Sequence, residues 1–505
     1  MEVELKLLFA AHDADTLRRH PLLQEYATAQ PREQTLTDTY FDTPDLRLRQ
    51  SAARLRVRKV DNTWVETMHG GSRTGAREWH APLAGPAPDL AALRDVVGHN
   101  SASGKLLRLP LLEDRLAPIF TTRVKRMVWA LCLPQGDEVE CVLEQGRLEC
   151  AGMKVPISEI ELELKSGQPA HLFDFALALQ QDIPLQIGQL SQAERGYALF
   201  APQPPAAFKA TPLKLSKHMN IEQAFQAIAL NCLAQIQANE AAVVEAHDVE
   251  GVHQMRVGLR RLRSALGLFK DVFQAPDDMQ QELDWLTTQL GAARDWDVLA
   301  TATLPALAAA APAEPRLAGL MLAAHARADD KHEAAALAVA SARHARLILS
   351  LRRWVLGCGW RDAMLMQDGH RLAAPLGGFA RKTLLQRQRR LFDRARQLRA
   401  ASPETRHRLR IAAKKTRYAS EFFQSLFSAR TLRPYVAALS ALQDEFGWLN
   451  DASVGSRLLQ ELQEGQAELD AGAGFARGYL LARSSNDDRK IHKLWHDFAA
   501  MKLPR

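Results

Sequence analysis

Charged and apolar residues alternate strictly at two distant places in this chain: Glu2, Glu4 and Lys6 within the first six residues, and Glu159, Glu161, Glu163 and Lys165 in SEIELELKSG. Successive side chains of a β-strand point to opposite faces, so each stretch shows carboxylates on one side and Val, Leu or Ile on the other. With the charges in water, these are ordinary half-buried strands. Brought together inside a closed barrel, the converging carboxylates need cations beside them to offset their repulsion. The second arrangement is how a divalent-metal site is built.

The rest of residues 1–200 suits such a barrel. VELKLLF, TDTYFD, ARLRVRKV, TWVETMH, EWHAPL, RVKRMVWALCL, EVECVLEQGRLEC and SEIELELK are short, rich in β-branched or aromatic residues and bounded by turn formers. Eight such segments predict an eight-stranded antiparallel β-barrel, with helical stretches at 14–29 and 169–182 outside it. Because the charged side of several strands alternates with good core residues, the charged side is expected to be the inside.

A chain of 505 residues exceeds what one core supports. APQPPAAFKATP (201–212) reads as a stiff linker, and beyond it the texture changes to long Ala/Leu/Arg/Gln segments of 3.6-residue period. The expected organisation is multidomain: a barrel over 1–202, a Pro/Ala-rich linker over 203–215 and an all-α bundle over 216–505. The charge divides the same way, with 23 Lys and Arg against 27 Asp and Glu in residues 1–200 and 42 against 31 thereafter. The helical part therefore favours a polyanionic partner.

That part repeats itself. His253-Gln-Met-Arg256-Val-Gly-Leu-Arg260-Arg261-Leu-Arg263 aligns without a gap to His407-Arg-Leu-Arg410-Ile-Ala-Ala-Lys414-Lys415-Thr-Arg417, and LGAARDWDVL (290–299) is echoed by FGWLNDASVG (446–455). Two related helical halves, near 216–360 and 375–505, are the expectation. At 100° per residue, His253, Arg256, Arg260 and Arg263 fall within an arc of about 80°, as do His407, Arg410, Lys414 and Arg417. Two cationic stripes of identical spacing repel themselves and call for an opposing polyanion. Few aromatics interleave with them and no nucleic-acid motif is present, so phosphate without bases is the simpler ligand.

In the barrel, Arg54, Arg56 and Arg58 alternate with Leu55 and Val57, and Arg123, Lys125 and Arg126 add cations on another strand. Guanidiniums beside carboxylates suit a metal-bound triphosphate. Other classes are disfavoured. The five cysteines form no CxxC pair, which argues against a disulfide framework or zinc site. No apolar run approaches a signal peptide or a membrane span, so a cytoplasmic protein without a membrane partner is expected.

At these residues the chain resembles a member of the CYTH superfamily, the triphosphate tunnel metalloenzymes, joined to a CHAD domain. The first resemblance rests on Glu2, Glu4 and Lys6 (ExExK), YFDTPDLRLRQSAARLRVR (40–58), EQGRL (144–148), EIELELKSG (159–167) and LSQAERGYAL (190–199); the second rests on the paired histidine-basic segments. The resemblance implies an eight-stranded tunnel that binds a triphosphate with Mg²⁺ or Mn²⁺. Activities in the superfamily include inorganic triphosphatase, thiamine triphosphatase and adenylate cyclase, and CHAD domains resemble helical bundles that bind inorganic polyphosphate. Bacterial chains with a CHAD partner most resemble the inorganic triphosphatases, which implies inorganic tripolyphosphate as substrate. Carried onto matching positions, Glu2, Glu4, Glu161 and Glu163 would ligate metal, and Lys6, Arg54, Arg56 and Arg126 would hold the reacting phosphates. Arg58 and Arg123 would add to substrate binding, with Glu159 and Glu140 assisting. Polyphosphate would take the two stripes.

Three positions depart from the family pattern: His69 and Gln192 stand where lysines are usual, and Glu144 where Asp is usual. Loss of two cations raises the alternative of a non-catalytic polyphosphate-binding adaptor. A thiamine triphosphatase or cyclase would need a ring pocket, for which Trp64 and Trp79 are the candidates. No side chain is assigned as general base. The sequence neither requires nor excludes a homodimer.

Overall fold

The structure is a computed structural model that describes residues 3–72, 75–99, 101–362, 369–396, 403–485 and 488–503. The chain divides into two compact units, Met1–Gln203 and Pro204–Arg505.

The first unit is built on one antiparallel sheet of nine strands: β1 (Val3–Leu8), β2 (Arg32–Asp42), β3 (Ala53–Val60), β4 (Thr63–Ser72), β5 (Gly75–Leu83), β6 (Ala117–Cys132), β7 (Glu138–Cys150), β8 (Met153–Ser166) and β9 (Gln186–Ile187). Their order is β5-β4-β3-β2-β6-β7-β8-β1-β9. All eight expected segments are strands, and the ninth is a two-residue strand beyond β1.

The pairing register divides the sheet into two chemically distinct faces. On one lie Leu5, Leu7, Leu55, Val57, Met68, Ile160 and Leu162, all at most 5% exposed. Part of this face is covered by α1 (Leu90–Val97), whose Leu90, Leu93 and Val97 pack with Leu55, Val57 and Met68. The helix α2 (Pro169–Asp182) contacts β8. The other face carries the charged partners of the same strands.

That charged face is concave. A third helix, α3 (Gln192–Phe200), begins at a capping box in which the Glu194 N–H donates to Ser191 Oγ (3.2 Å) and the Ser191 N–H donates to Glu194 Oε2 (2.8 Å). Ala193 and Tyr197 of α3 pack against Leu36, Tyr40, Phe120, Val124 and Leu148. Arg54 on β3 donates to Ser191 (3.4 Å), while the next residue, Gln192, donates to Glu159 on β8 (2.7 Å). In a flat sheet four strand spacings separate β3 from β8 by about 19 Å. Adjacent residues reach both only because the sheet curls around α3.

The second unit is helical. Its two repeated stretches fall on α4 (Val249–Phe269) with α5 (Asp277–Asp297), and on α7 (Pro403–Phe422) with α8 (Ala429–Gln463); α6 (Arg316–Val339) and α9 (Asp470–Ser485) complete the elements used below. Asp248 caps α4 by accepting from the Gly251 N–H (2.8 Å). Between residues 204 and 215 the chain is tied to this unit: Asn239 exchanges hydrogen bonds with the Phe208 backbone (2.8 and 2.9 Å), and the Leu215 N–H donates to Ser425 (2.9 Å). No single helix among the described residues is long and apolar enough to cross a membrane.

Candidate functional sites

The register sets the charged face in rows across the strands. Glu4, Glu163 and Glu140 are direct neighbours on β1, β8 and β7; Lys6 stands opposite Glu161; and Glu159, Glu144 and Arg126 form the next row on β8, β7 and β6. Continuing around the sheet, Asp38 on β2 faces Arg58 on β3, Tyr40 faces Arg56, and Arg54 faces His69 on β4. One wall is thus acidic and the other basic. Glu2 lies outside the described residues.

Contacts on the acidic wall are dense. Lys6 Nζ lies 2.7 Å from Glu161 and 3.6 Å from Glu159. Burial opposes the charge of this lysine, but the two glutamates outweigh it and raise the pKa. Lys165 binds Glu163 at 2.7 Å and Glu140 at 3.5 Å. Gln192 also bonds Glu144, and Arg195 pairs with the fully buried Glu159. Glu144 is pushed up to about 7, first by burial and then by Glu161.

The donors on this wall are hard carboxylate oxygens, the set preferred by Mg²⁺ and Mn²⁺. Among the described residues no three converge on one point, since Lys6 and Lys165 engage oxygens of Glu161 and Glu163. The donor chemistry fits a divalent cation once those lysines turn to an anion.

On the basic wall, Arg58 is held by Asp38 and Arg126 lies 3.6 Å from Glu144. Arg56 Nε and Arg195 Nε are buried donors with no acceptor in the protein. His69 Nδ1 lies 2.9 Å from Glu78. Burial lowers its pKa to about 4, with Glu78 opposing and Arg56 and Arg54 adding to the shift, so the ring is neutral at pH 7.

Four expected residues are elsewhere. Arg123 shares a strand with Arg126 but differs by an odd number of positions, so it points to the opposite face, where it is about half exposed and 3.5 Å from Glu149. Lys125 points the same way as Arg123 for the same reason. Trp64 and Trp79 belong to the apolar face, packed against the cluster around Leu55 and Met68, and offer no ring platform to the charged one.

In the second unit the two cationic stripes meet. Helices α4 and α7 contact each other, and Arg260 acts electrostatically on both Arg410 and Lys414. Lys414 is depressed to about 7, chiefly by burial and then by Arg410 and Arg260. Arg256 and Arg410 are lowered by burial, and His253 is lowered by burial and by Arg294. Arg256 Nη1, Arg260 Nε and Arg410 Nε are buried donors without an acceptor in the protein, whereas Arg417 Nε lies 3.5 Å from Glu421. Arg263, at the far end of its stripe, is exposed and paired with Asp284.

Two acidic residues flank this cluster. Asp295 and Asp451 occupy equivalent places in the echoed segments 290–299 and 446–455, and burial raises both. Beside them, Asn450 accepts from Arg410 at 2.5 Å.

Comparison with known proteins matches residues 1–197 to the CYTH domain family and residues 227–460 to the CHAD domain family. The chain joins a CYTH domain to a CHAD domain. Over 208 residues it is 30% identical to an inorganic triphosphatase of Haemophilus influenzae, which covers 40% of this chain and 56% of that protein. The chain thus spans about half the length of this curated relative. The crystal structure of a CHAD domain from the plant Ricinus communis is 40% identical, covers 59% of this chain and 99% of its own, and superposes with a TM-score of 0.54.

Sequence reasoning missed four participants in the CYTH and CHAD domains. Asp38 sits in TDTYFD, where its alternation with Tyr40 was available. Arg195 sits in LSQAERG, one helical turn after Gln192. Asp295 and Asp451 lie in the echoed segments, where the shared Asp was the signal.

Proposed function

We propose that the CYTH domain hydrolyses inorganic tripolyphosphate to pyrophosphate and orthophosphate with Mg²⁺ or Mn²⁺, and that the CHAD domain binds inorganic polyphosphate. The observation that carries the first part is the register that puts an acidic row, Glu4–Glu163–Glu140, on the same concave face as Arg54, Arg56 and Arg126. In this reading the arginines neutralise the phosphate oxygens and hold the chain of phosphates in line. Lys6 supplies a further cation at the boundary with the acidic wall. Helix α3 closes one end and excludes water, which strengthens every charge contact within. Glu4, Glu161, Glu163 and Glu140 would hold the divalent cation, which when bound polarises phosphoryl oxygens and lowers the pKa of the attacking water.

The second part rests on the orphaned guanidinium donors of Arg256, Arg260 and Arg410. Buried donors without acceptors are costly unless an anion fills them. Inorganic polyphosphate is a string of such acceptors.

A specific observation favours the adaptor as second reading: Gln192, a neutral amide, bridges Glu144 and Glu159, and His69 is uncharged at pH 7. Phosphate release from tripolyphosphate, with and without Mg²⁺ or Mn²⁺, separates the two. Metal-dependent release that Glu161→Gln with Glu163→Gln abolishes supports the enzyme. No release from the wild type, restored by His69→Lys with Gln192→Lys, establishes the adaptor. For the CHAD domain, affinity for long-chain polyphosphate is expected to fall steeply with salt and on neutralising Arg256, Arg260, Arg410 and Lys414. Insensitivity to both overturns that part.

A further inference from the structure

The two halves of the CHAD domain differ where the echoed segments should agree. Aligning 290–299 with 446–455 pairs Trp296 with Ala452 and Asp297 with Ser453. In the first half Trp296 is 4% exposed within an apolar cluster that includes Leu299, Leu304 and Leu320, and Asp297 makes a buried 2.7 Å contact with His332 on α6. In the second half the corresponding alanine and serine line a cavity of about 730 Å³ between α7, α8 and α9. Ala452 is 4% exposed and packs in the same cluster as Trp296, so the small residue backs onto the indole on one side and the cleft on the other, while Ser453 is exposed at the mouth of the cleft.

The cleft opens to solvent along one side, where His407, Arg408, Ser453 and Leu481 are exposed, and it has the size of a small-molecule site. Its lining says which guest. At one side stand Arg406, His407, Arg408 and Arg410, with Arg457 on α8 adding a further cation, and Arg410 also belongs to the cationic stripe that carries the orphaned donors. The walls include Phe446, Leu449 and Leu480, and Asn450 and Ser456 offer hydrogen-bonding groups among them. A ligand that satisfies all three features carries phosphates at one end and a flat, apolar body with polar edges at the other. Inorganic polyphosphate has only the first.

We propose that this cavity takes the nucleoside end of a nucleoside polyphosphate whose phosphates lie on the Arg256–Arg260–Arg410–Lys414 stripe. The proposal rests on the reading of that stripe as a polyphosphate site and adds a terminal group that the stripe alone cannot recognise. The CHAD domain would then distinguish capped from uncapped phosphate chains.

The test is photolabelling of the full chain with 8-azidoadenosine triphosphate in EDTA, which disarms metal-dependent binding in the CYTH domain, with adducts mapped by peptide mass spectrometry. Adducts are expected within 446–460 or 477–483, and excess ATP should suppress them at least tenfold more effectively than tripolyphosphate. Ser456→Trp and, independently, Ser453→Trp fill the cavity from its lining. Each should cut labelling at least tenfold while the affinity for long-chain polyphosphate changes less than twofold. Two variants with wild-type circular dichroism guard against a folding artefact. Labelling confined to residues 1–203, labelling that neither tryptophan reduces, or equal suppression by tripolyphosphate overturns the proposal. Polyphosphate binding with no cavity labelling also overturns it and leaves the stripe reading intact, whereas cavity labelling without polyphosphate binding removes that reading and, with it, the placement of the phosphates on the stripe.

Discussion

Arg58 grips Asp38 through two hydrogen bonds of 2.7 Å, one from Nε and one from Nη2. The carboxylate is 4% exposed, and its second cationic neighbour, Arg56, stands 3.6 Å away. Of the three arginines on β3, then, Arg58 is committed to the sheet, whereas the hydrogen bond recorded for Arg54 is a long one to Ser191. The two should respond differently to truncation. Arg54→Ala is expected to raise the KM for tripolyphosphate about tenfold, the loss of a hydrogen bond to a charged group, with little change in melting temperature. Arg58→Ala leaves a buried carboxylate short of its partner and should lower the melting temperature by several degrees. Steady-state kinetics beside thermal melts separate them, and the reverse pattern would refute the assignment.

Glu66 lies on the apolar face of β4, fully buried, and accepts a 3.0 Å hydrogen bond from the Asp89 N–H at the start of α1. Burial raises its pKa to about 7. A carboxyl whose folded pKa exceeds its unfolded value binds protons more tightly when folded. Its stabilising contribution is complete below the unfolded value and is lost as pH rises through about 7. Melting of the CYTH domain is therefore expected to weaken between about pH 5 and pH 8, and Glu66→Gln should flatten that dependence. A variant with the wild-type slope would show that Glu66 is not its source.

Lys414 offers a test on the CHAD side. Held near 7 by burial, Arg410 and Arg260, it is largely uncharged at pH 8 in the free protein. A polyanion laid on the stripe restores the charge, so binding at that pH takes up a proton. Polyphosphate affinity should fall as pH rises above about 7, and calorimetry in two buffers of different ionisation enthalpy should report the uptake. Lys414→Arg, which stays charged, should abolish uptake while preserving affinity at pH 8.

Gly196 reports how closely α3 is seated. A Cβ built on it would fall 2.1 Å from the Phe120 ring, which is itself stacked on Tyr40 at 4.5 Å. Helix propensity favours alanine over glycine by up to about 1 kcal/mol, but the clash has no flexible side-chain end to move and should outweigh it at about 1–3 kcal/mol. Gly196→Ala is expected to lower the melting temperature and to reduce phosphate release, because Gln192 and Arg195 move with the helix. Full activity would mean that α3 does not close the tunnel.

The sheet was legible because its strands alternate, and alternation is a local property. It gave the eight long strands and the charged face of β8 correctly, and it failed where a cluster in sequence straddles both faces: Arg123 and Lys125 differ in parity from Arg126, so neighbours along the chain are strangers in space. Trp64 and Trp79 were misplaced in the same way. Gln186–Ile187 was too short to carry a pattern. The paired stripes were legible from spacing on single helices, but their meeting was not, since periodicity identifies a face and not what that face packs against. The neutralisation of Arg58 by Asp38 depends on which strand lies beside β3, a fact of topology that no segment contains.

β1 lies between β8 and β9, so the strand made first is clasped by strands made more than 140 residues later. On the ribosome, Val3–Leu8 has no hydrogen-bonding neighbour until Met153–Ser166 has emerged, and the concave face stays open until α3 follows. Such long-range closure is slow compared with local helix formation. Synthesis of this sheet therefore leaves an adhesive edge exposed from the emergence of β1 until β8 follows, a window in which chaperone protection would matter.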